Sequence, residues 1–175
     1  MLTFTVINTP IGEGNLVSSN KGLCYFSLYQ DVITMKRWLA VHFPQADGLT
    51  MAPDCSYLIE AADQLNEYLA GRLRSFSLPF DLKGTLFQKT VWQSLLTVPY
   101  GQTTTYGALA AAVGRPRAAR GVGSAMRANP LPIFIPCHRV LPANGSLGCY
   151  GGGKKLKRHL LELEGVFRET KGQRV

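Results

Sequence analysis

The chain has 175 residues, 46% apolar, 10% aromatic and only 17% charged, which excludes an intrinsically disordered protein and suits one ordinary globular domain or two small ones. Its longest unbroken apolar run, Ala108 to Val113, falls far short of the roughly 18 to 20 residues that cross a bilayer. The amino terminus MLTFTVINTPIGEG has no basic segment ahead of an apolar one, so the expectation is a cytoplasmic protein without membrane contact. The net charge of +8 is unevenly divided: residues 1–83 hold eight carboxylates against six Lys or Arg, whereas residues 84–175 hold 13 Lys or Arg against Glu162, Glu164 and Glu169. No carboxylate lies between Asp81 and Glu162, a stretch that includes Arg115, Arg117, Arg120, Arg127, Arg139 and Lys157. Such segregation fits a polyanion-binding surface, because every phosphate neutralised releases counterions; a solvated basic face without a partner is the alternative.

Residues 2–8, 15–19 and 22–29 alternate apolar and polar positions around turn residues, predicting three short antiparallel strands. A helix is expected over 31–42, ending before Pro44, and a second over 54–69 with Leu58, Ala61, Ala62, Leu65 and Leu69 on one stripe and Gly71 as terminator. The expected first unit, residues 1–83, is thus a small sheet backed by helices, with nothing that looks catalytic. Past Thr85 the texture changes. Phe87, Val91, Trp92 and Leu95 recur at helical spacing, Thr103 to Thr105 supply a cap for a helix over 106–113, and Pro116 is placed to open another running to about Arg127. Two short helices around a Gly-containing turn predict a helix-turn-helix. The second carries Ala118, Ala119, Arg120, Gly121, Val122 and Gly123, without the Asn, Gln or Glu that commonly read base edges in the major groove. Small residues flanked by arginines suit close approach to a narrow groove and phosphate contacts; ordinary tight helix packing would use the same residues.

The four cysteines, Cys24, Cys55, Cys137 and Cys149, form no CxxC pair, so neither a disulfide framework nor a zinc site is expected. A short apolar strand, 131–135, is predicted to deliver Cys137 and His138 just after Pro136. A thiol attacks as its thiolate, and a neighbouring His is the usual agent for making it. Consecutive residues of an extended chain point to opposite faces, so contact between them needs a turn or a bridging water. Glu164 is the favoured partner for the second imidazole nitrogen, with Glu162 and Glu169 as alternatives. A core His beside a buried Cys would show the same spacing.

The run Ile135-Pro136-Cys137-His138-Arg139-Val140 resembles the active-site signature of the O6-alkylguanine-DNA alkyltransferases. The likeness extends through Val98-Pro99-Tyr100-Gly101, Ala118-Ala119-Arg120, Asn129-Pro130, Tyr150 to Gly153 and Glu164-Gly165, covering most of residues 84–175, the expected second unit. The resemblance implies an α/β (α+β) fold: a ribonuclease-H-like amino-terminal part and a mainly helical carboxyl-terminal part. It implies single-turnover repair of O6-alkylguanine, and of O4-alkylthymine, in double-stranded DNA without a cofactor, by a monomer that can bind DNA cooperatively. By the same resemblance Cys137 is the alkyl acceptor, His138 its water-mediated base and Glu164 the residue orienting His138. Asn129 would brace the cysteine loop and Tyr106 assist departure of guanine. Val140, Tyr150 and Gly151 would form the guanine pocket. Arg120 would fill the space of the flipped nucleotide, with Ala118, Ala119, Arg115, Arg117 and Arg127 against DNA.

Three other readings use the same residues. An alkyltransferase-like binder would lack the acceptor cysteine, a thiol hydrolase would release its product and turn over, and a plain DNA-binding module would not need Cys137. Cys149 departs from the family pattern; it is expected to be an inert thiol filling a small buried site, a disulfide with Cys137 being the alternative.

Overall fold

The computed structural model describes residues 1–29 and 32–167; the start of the first expected helix at Asp31, the alternative partner Glu169 and most of the tail from 166 lie outside the described residues. Strands β1 (Leu2–Thr9), β2 (Gly12–Ser19) and β3 (Gly22–Leu28) form the antiparallel meander that the alternation predicts. A fourth strand, β4 (Leu49–Met51), adds parallel to β1 and gives the order β3-β2-β1-β4. Three residues are too few to show a period, which is why the sequence did not reveal it.

Helix α1 (Val32–His42) covers one face of this sheet, seating Met35 and Leu39 against Leu2, Val17 and Tyr25. Helix α2 (Ser56–Leu69) covers the other, with Leu58, Leu65, Tyr68 and Leu69 against Ile7, Leu16 and Phe26. Because both faces are covered, residues 14–18 of β2 are all buried. Each fully buried Leu or Phe contributes about 1.5 to 3 kcal/mol.

The outer edge of β3 joins the two halves of the chain. Leu23 N donates to Pro79 O and Asp81 N to Leu23 O, both at 2.9 Å, and Phe26 N donates to Pro130 O at 2.8 Å. Backbone groups that would otherwise be left open at a sheet edge are satisfied there by both halves. The larger apolar cluster accordingly runs without a break from Leu16 and Phe26 to Trp92, Phe134 and Leu160.

Beyond the edge lie α3 (Leu86–Leu96), α4 (Tyr106–Ala112), α5 (Ala119–Arg127) and α6 (Gly153–Leu163). Thr85 and Gln88 close a capping box on α3, and Trp92 Nε1 donates to Ala125 O at 2.9 Å, tying α3 to α5. The pair α4 and α5 is the predicted helix-turn-helix, with one correction. Pro116 does not open α5; residues 115–118 form a turn closed by Ala118 N on Arg115 O (2.8 Å), with proline at the second position that its fixed φ favours.

The expected strand over 131–135 is a turn instead. Ile135 N donates back to Leu131 O at 2.8 Å, Ile133 has a φ of 77°, and Pro130, Pro132 and Pro136 lack the N–H groups a ladder needs. Its apolar side chains fill the core between the halves.

Candidate active site

Residues Cys137–Arg139 form a single 3₁₀ turn directly after Pro136, with Cys137 N on Ile135 O at 2.7 Å and Arg139 N on Pro136 O at 3.0 Å. The turn ends in β6 (Val140–Leu141), which pairs in parallel with β5 (Thr104–Thr105). Tyr106 follows β5 at once as the first residue of α4, whose N-cap is the Thr105 hydroxyl accepting from Ala108 N at 3.1 Å. Two strand residues on each side therefore hold Tyr106 and the Cys137 turn in a fixed relation, although 30 residues of sequence intervene.

Cys137 is 8% exposed and lines a cavity of about 310 Å³. Asn129, Met126, Tyr150 and Gly151 form its wall from the helical half, and Ser27 and Trp38 from the sheet-bearing half. Asn129 braces this loop: its Nδ2 donates to Ile135 O (3.0 Å) and to Cys137 Sγ (3.1 Å), while its Oδ1 accepts from Leu131 N (2.9 Å). Burial pushes the Cys137 thiol pKa up, and the Asn129 donor opposes it only in part. Tyr150 stands edge-on to the His138 ring, 6.4 Å between centroids, with its hydroxyl buried and without a hydrogen-bond partner. Its pKa is raised well above the ordinary tyrosine value by burial, so it remains a phenol. Tyr106 is half-buried, and burial raises its pKa also. Neither Tyr106 nor Val140 lines the cavity: Val140 is wholly buried and offers its carbonyl to Lys157 Nζ at 2.7 Å.

On the other side of the turn the surroundings are polar. His138 has no exposed surface, and its Nε2 lies 2.9 Å from Glu164 Oε1 and 3.2 Å from the Tyr68 hydroxyl. Tyr68 donates to the same Oε1 at 2.5 Å, and Arg139 reaches it through Nη2 at 2.8 Å and Nε at 3.1 Å. Glu164 Oε2 accepts from Arg139 Nε (3.0 Å) and from Gly101 N (3.1 Å). Gly101 has a φ of 77°, and a Cβ there would lie 2.9 Å from the Glu164 carbonyl oxygen, so the position demands glycine. Burial alone would raise the Glu164 pKa, but the donors of His138 and Arg139 overcome it and hold the carboxyl at about 2. Burial also lowers the His138 pKa against the opposing pull of Glu164, which favours a neutral ring. Its Nδ1 is buried without a protein partner.

Glu164, rather than Glu162, is the carboxylate at His138; Glu162 faces Arg158 on the surface. Three residues of this network escaped the sequence reading. Tyr68 falls outside the stripe read over 54–69, and Arg139 and Lys157 stand among the cations of the basic segment; both cations are buried, at 6% and 0% exposure. The only available signal was that Arg139 stands next to His138. Arg115, Arg117, Arg120 and Arg127 are exposed around α5, and Ala118 and Ala119 are half-buried at its start. Cys149 is exposed, which corrects the expectation of a buried filler: it lies on the loop that leads to Tyr150, outside both cores. Among the described residues no three His, Cys, Asp or Glu side chains converge as metal ligands, and no helix is long and apolar enough to cross a membrane.

Residues 86–166 match the family model described as 6-O-methylguanine DNA methyltransferase, DNA binding domain, and residues 2–82 match its ribonuclease-like domain. The chain belongs to this family. It is 42% identical over 164 residues to the methylated-DNA-protein-cysteine methyltransferase of Mycobacterium bovis, covering 94% of this chain and 93% of that protein. To the constitutive enzyme of that name from Bacillus subtilis it is 40% identical over 169 residues, covering 96% and 98%. The crystal structure of Mycobacterium tuberculosis OGT in complex with DNA superposes with a TM-score of 0.79 at 41% identity, covering 93% of this chain and 92% of that one. The O6-methylguanine-DNA methyltransferase of Pyrococcus kodakaraensis gives a TM-score of 0.65 at 30% identity, covering 95% and 100%. Family membership makes this chain a methyltransferase of DNA repair, built on the mixed α/β fold that the sequence implied.

Proposed function

We propose that the protein binds double-stranded DNA as a monomer, draws an O6-alkylguanine or O4-alkylthymine out of the stack, and moves the alkyl group irreversibly to Cys137 in the cytoplasm. The observation that carries this reading is Cys137 itself, a lone thiol on the wall of a cavity with a neutral, carboxylate-anchored imidazole beside it in the chain. The thiol proton passes through a water to His138, and the sulfur displaces the base at the alkyl carbon: the S–C bond forms as the C–O bond breaks. The electron pair leaves on the base oxygen and is delocalised into the ring, which Tyr106, kept protonated by burial, assists by hydrogen bonding. The thiol proton ends on the released base and no cofactor is consumed. Glu164 positions His138, and Asn129 holds the thiolate through its Nδ2 donor.

The α5 surface supplies the route to a buried base. Ala118 and Ala119 permit close approach to the minor groove, Arg120 enters the duplex in place of the extruded nucleotide, and Arg115, Arg117 and Arg127 contact phosphates. Tyr150 and Gly151 shape the pocket that receives the base.

A thioether lacks the polarised carbonyl that makes an acyl-enzyme hydrolysable, so each molecule acts once. Intact-mass measurement after incubation with O6-methylguanine duplex tests this directly. The expected result is one methyl retained per protein and none on C137S; repeated turnover, or methyl transfer by C137S, would overturn it.

A further inference from the structure

We propose that Tyr68, from the sheet-bearing half of the chain, is a positioning residue for the transfer: its hydroxyl, lodged between Glu164 and His138, fixes the imidazole with its proton on Nε2 and Nδ1 as the free base. The proposal rests on the proposed transfer to Cys137 and adds a residue that neither the active-site motif nor the helical half contains.

The geometry decides the proton positions. A tyrosine hydroxyl has one proton, and at 2.5 Å from Glu164 Oε1 that proton is committed to the carboxylate. The hydroxyl therefore presents only lone pairs to His138 Nε2, 3.2 Å away. Glu164 Oε1, at 2.9 Å, is the other atom facing Nε2 and is an acceptor too. A nitrogen facing two acceptors must be the donor, and a neutral imidazole carries one N–H, so Nδ1 is left bare. It is also the ring nitrogen without a protein partner. Were the proton on Nδ1 instead, a bare Nε2 would meet two electron-rich oxygens and the proton would point away from them.

Tyr68 is set for this task by its own helix. It occupies the last turn of α2, fully buried, with its ring packed on Phe76 (5.2 Å between centroids) and edge-on to Tyr100 (6.0 Å). Its pKa is raised far out of reach, by burial first and by Glu164 second, so the hydroxyl keeps its proton. The groups facing the imidazole are Tyr68 from α2, Arg139 from the turn, Lys157 and Glu164 from α6 and its end, and Tyr150 from the preceding loop. Arg139 draws on the same carboxylate oxygen, so Glu164 alone is a divided partner for His138, and Tyr68 closes the remaining side of Nε2.

The test is Y68F, which keeps the ring and removes the hydroxyl, followed by single-turnover transfer from O6-methylguanine duplex and from free O6-benzylguanine base across pH. In a protein that reacts once, the final extent counts correctly folded molecules and the rate constant reports the chemistry. Y68F should still reach one alkyl group per protein, with a rate constant about tenfold lower on both substrates. Its acid limb should move to higher pH, because a carboxylate relieved of the phenol donor holds the imidazolium more tightly. An unchanged rate and limb would overturn the proposal, as would a reduced extent with the rate constant and limb of the wild type, which is the mark of a merely structural residue. No transfer by the wild type would overturn the proposed function, and this proposal with it.

Discussion

Cys137 and His138 are consecutive in sequence, yet one turn of backbone gives them opposite surroundings. Cys137 faces a cavity in which the Asn129 amide donates to its sulfur, and its thiol is held in the neutral form by burial. His138 faces a carboxylate that also binds a guanidinium, a phenol and a backbone N–H. The difference separates storage from readiness. A neutral thiol in an apolar pocket is protected from casual oxidation and alkylation, while the group that must take its proton is anchored in advance. An anchored base costs little reorganisation when substrate arrives, which suits a protein that reacts once.

Replacing Glu164 by Gln breaks this contrast on the polar side and should have the largest effect. The substitution leaves Arg139 buried without its counter-ion, a loss of about 3 kcal/mol or more in unfolding free energy at neutral pH. The sign with pH follows from the depressed pKa: its contribution is fully present above the ordinary value of 4.5 and disappears as pH falls through that window towards about 2. Urea unfolding at a series of pH values should therefore show the gap between wild type and E164Q greatest near neutrality and closing in acid. A gap that stays constant across this range would show that Glu164 is not held as a carboxylate by its neighbours.

Much of the polar side was not legible in the sequence, and the reasons are particular. The Cys-His pair, the favoured Glu164 and the helix-turn-helix could be read because each is local or carried by a motif. Tyr68 could not, because its partner Glu164 lies 96 residues away. Arg139 and Lys157 look like surface charge until the fold places them on Glu164 and the Val140 carbonyl. The run over 131–135 has the composition of a strand, and only the three prolines around it hint that it turns. On the sheet side the meander was plain from its alternation, whereas β4 exists because β1 offers it an edge.

A second way to sharpen the contrast is to separate reaching the pocket from reacting in it. Arg120 is exposed on α5 and makes no contact with the buried network, so R120A should leave transfer from free O6-benzylguanine at the wild-type rate. On methylated duplex, where the base must be extruded, the same variant should be slower by about tenfold or more. Removal of Arg115, Arg117 or Arg127 should weaken duplex binding across sequences and reduce the slope of log affinity against log salt by about one per residue. Equal losses on free base and duplex for R120A would place the residue in support of the pocket instead.

The smallest effect is expected at Cys149. It is exposed and Cys137 is buried, and thiol-disulfide exchange needs a thiolate, which burial of Cys137 opposes. Mild peroxide should therefore oxidise Cys149 first and leave the acceptor able to react, so that wild type and C149S lose alkyl transfer equally slowly. Titration of active molecules with O6-benzylguanine after peroxide, with and without reductant, measures this. Protection of activity in C149S, with recovery of the wild type by reductant, would instead mean that the loop carrying Cys149 closes onto the cavity and that the stored thiol is open to a partner on its own chain.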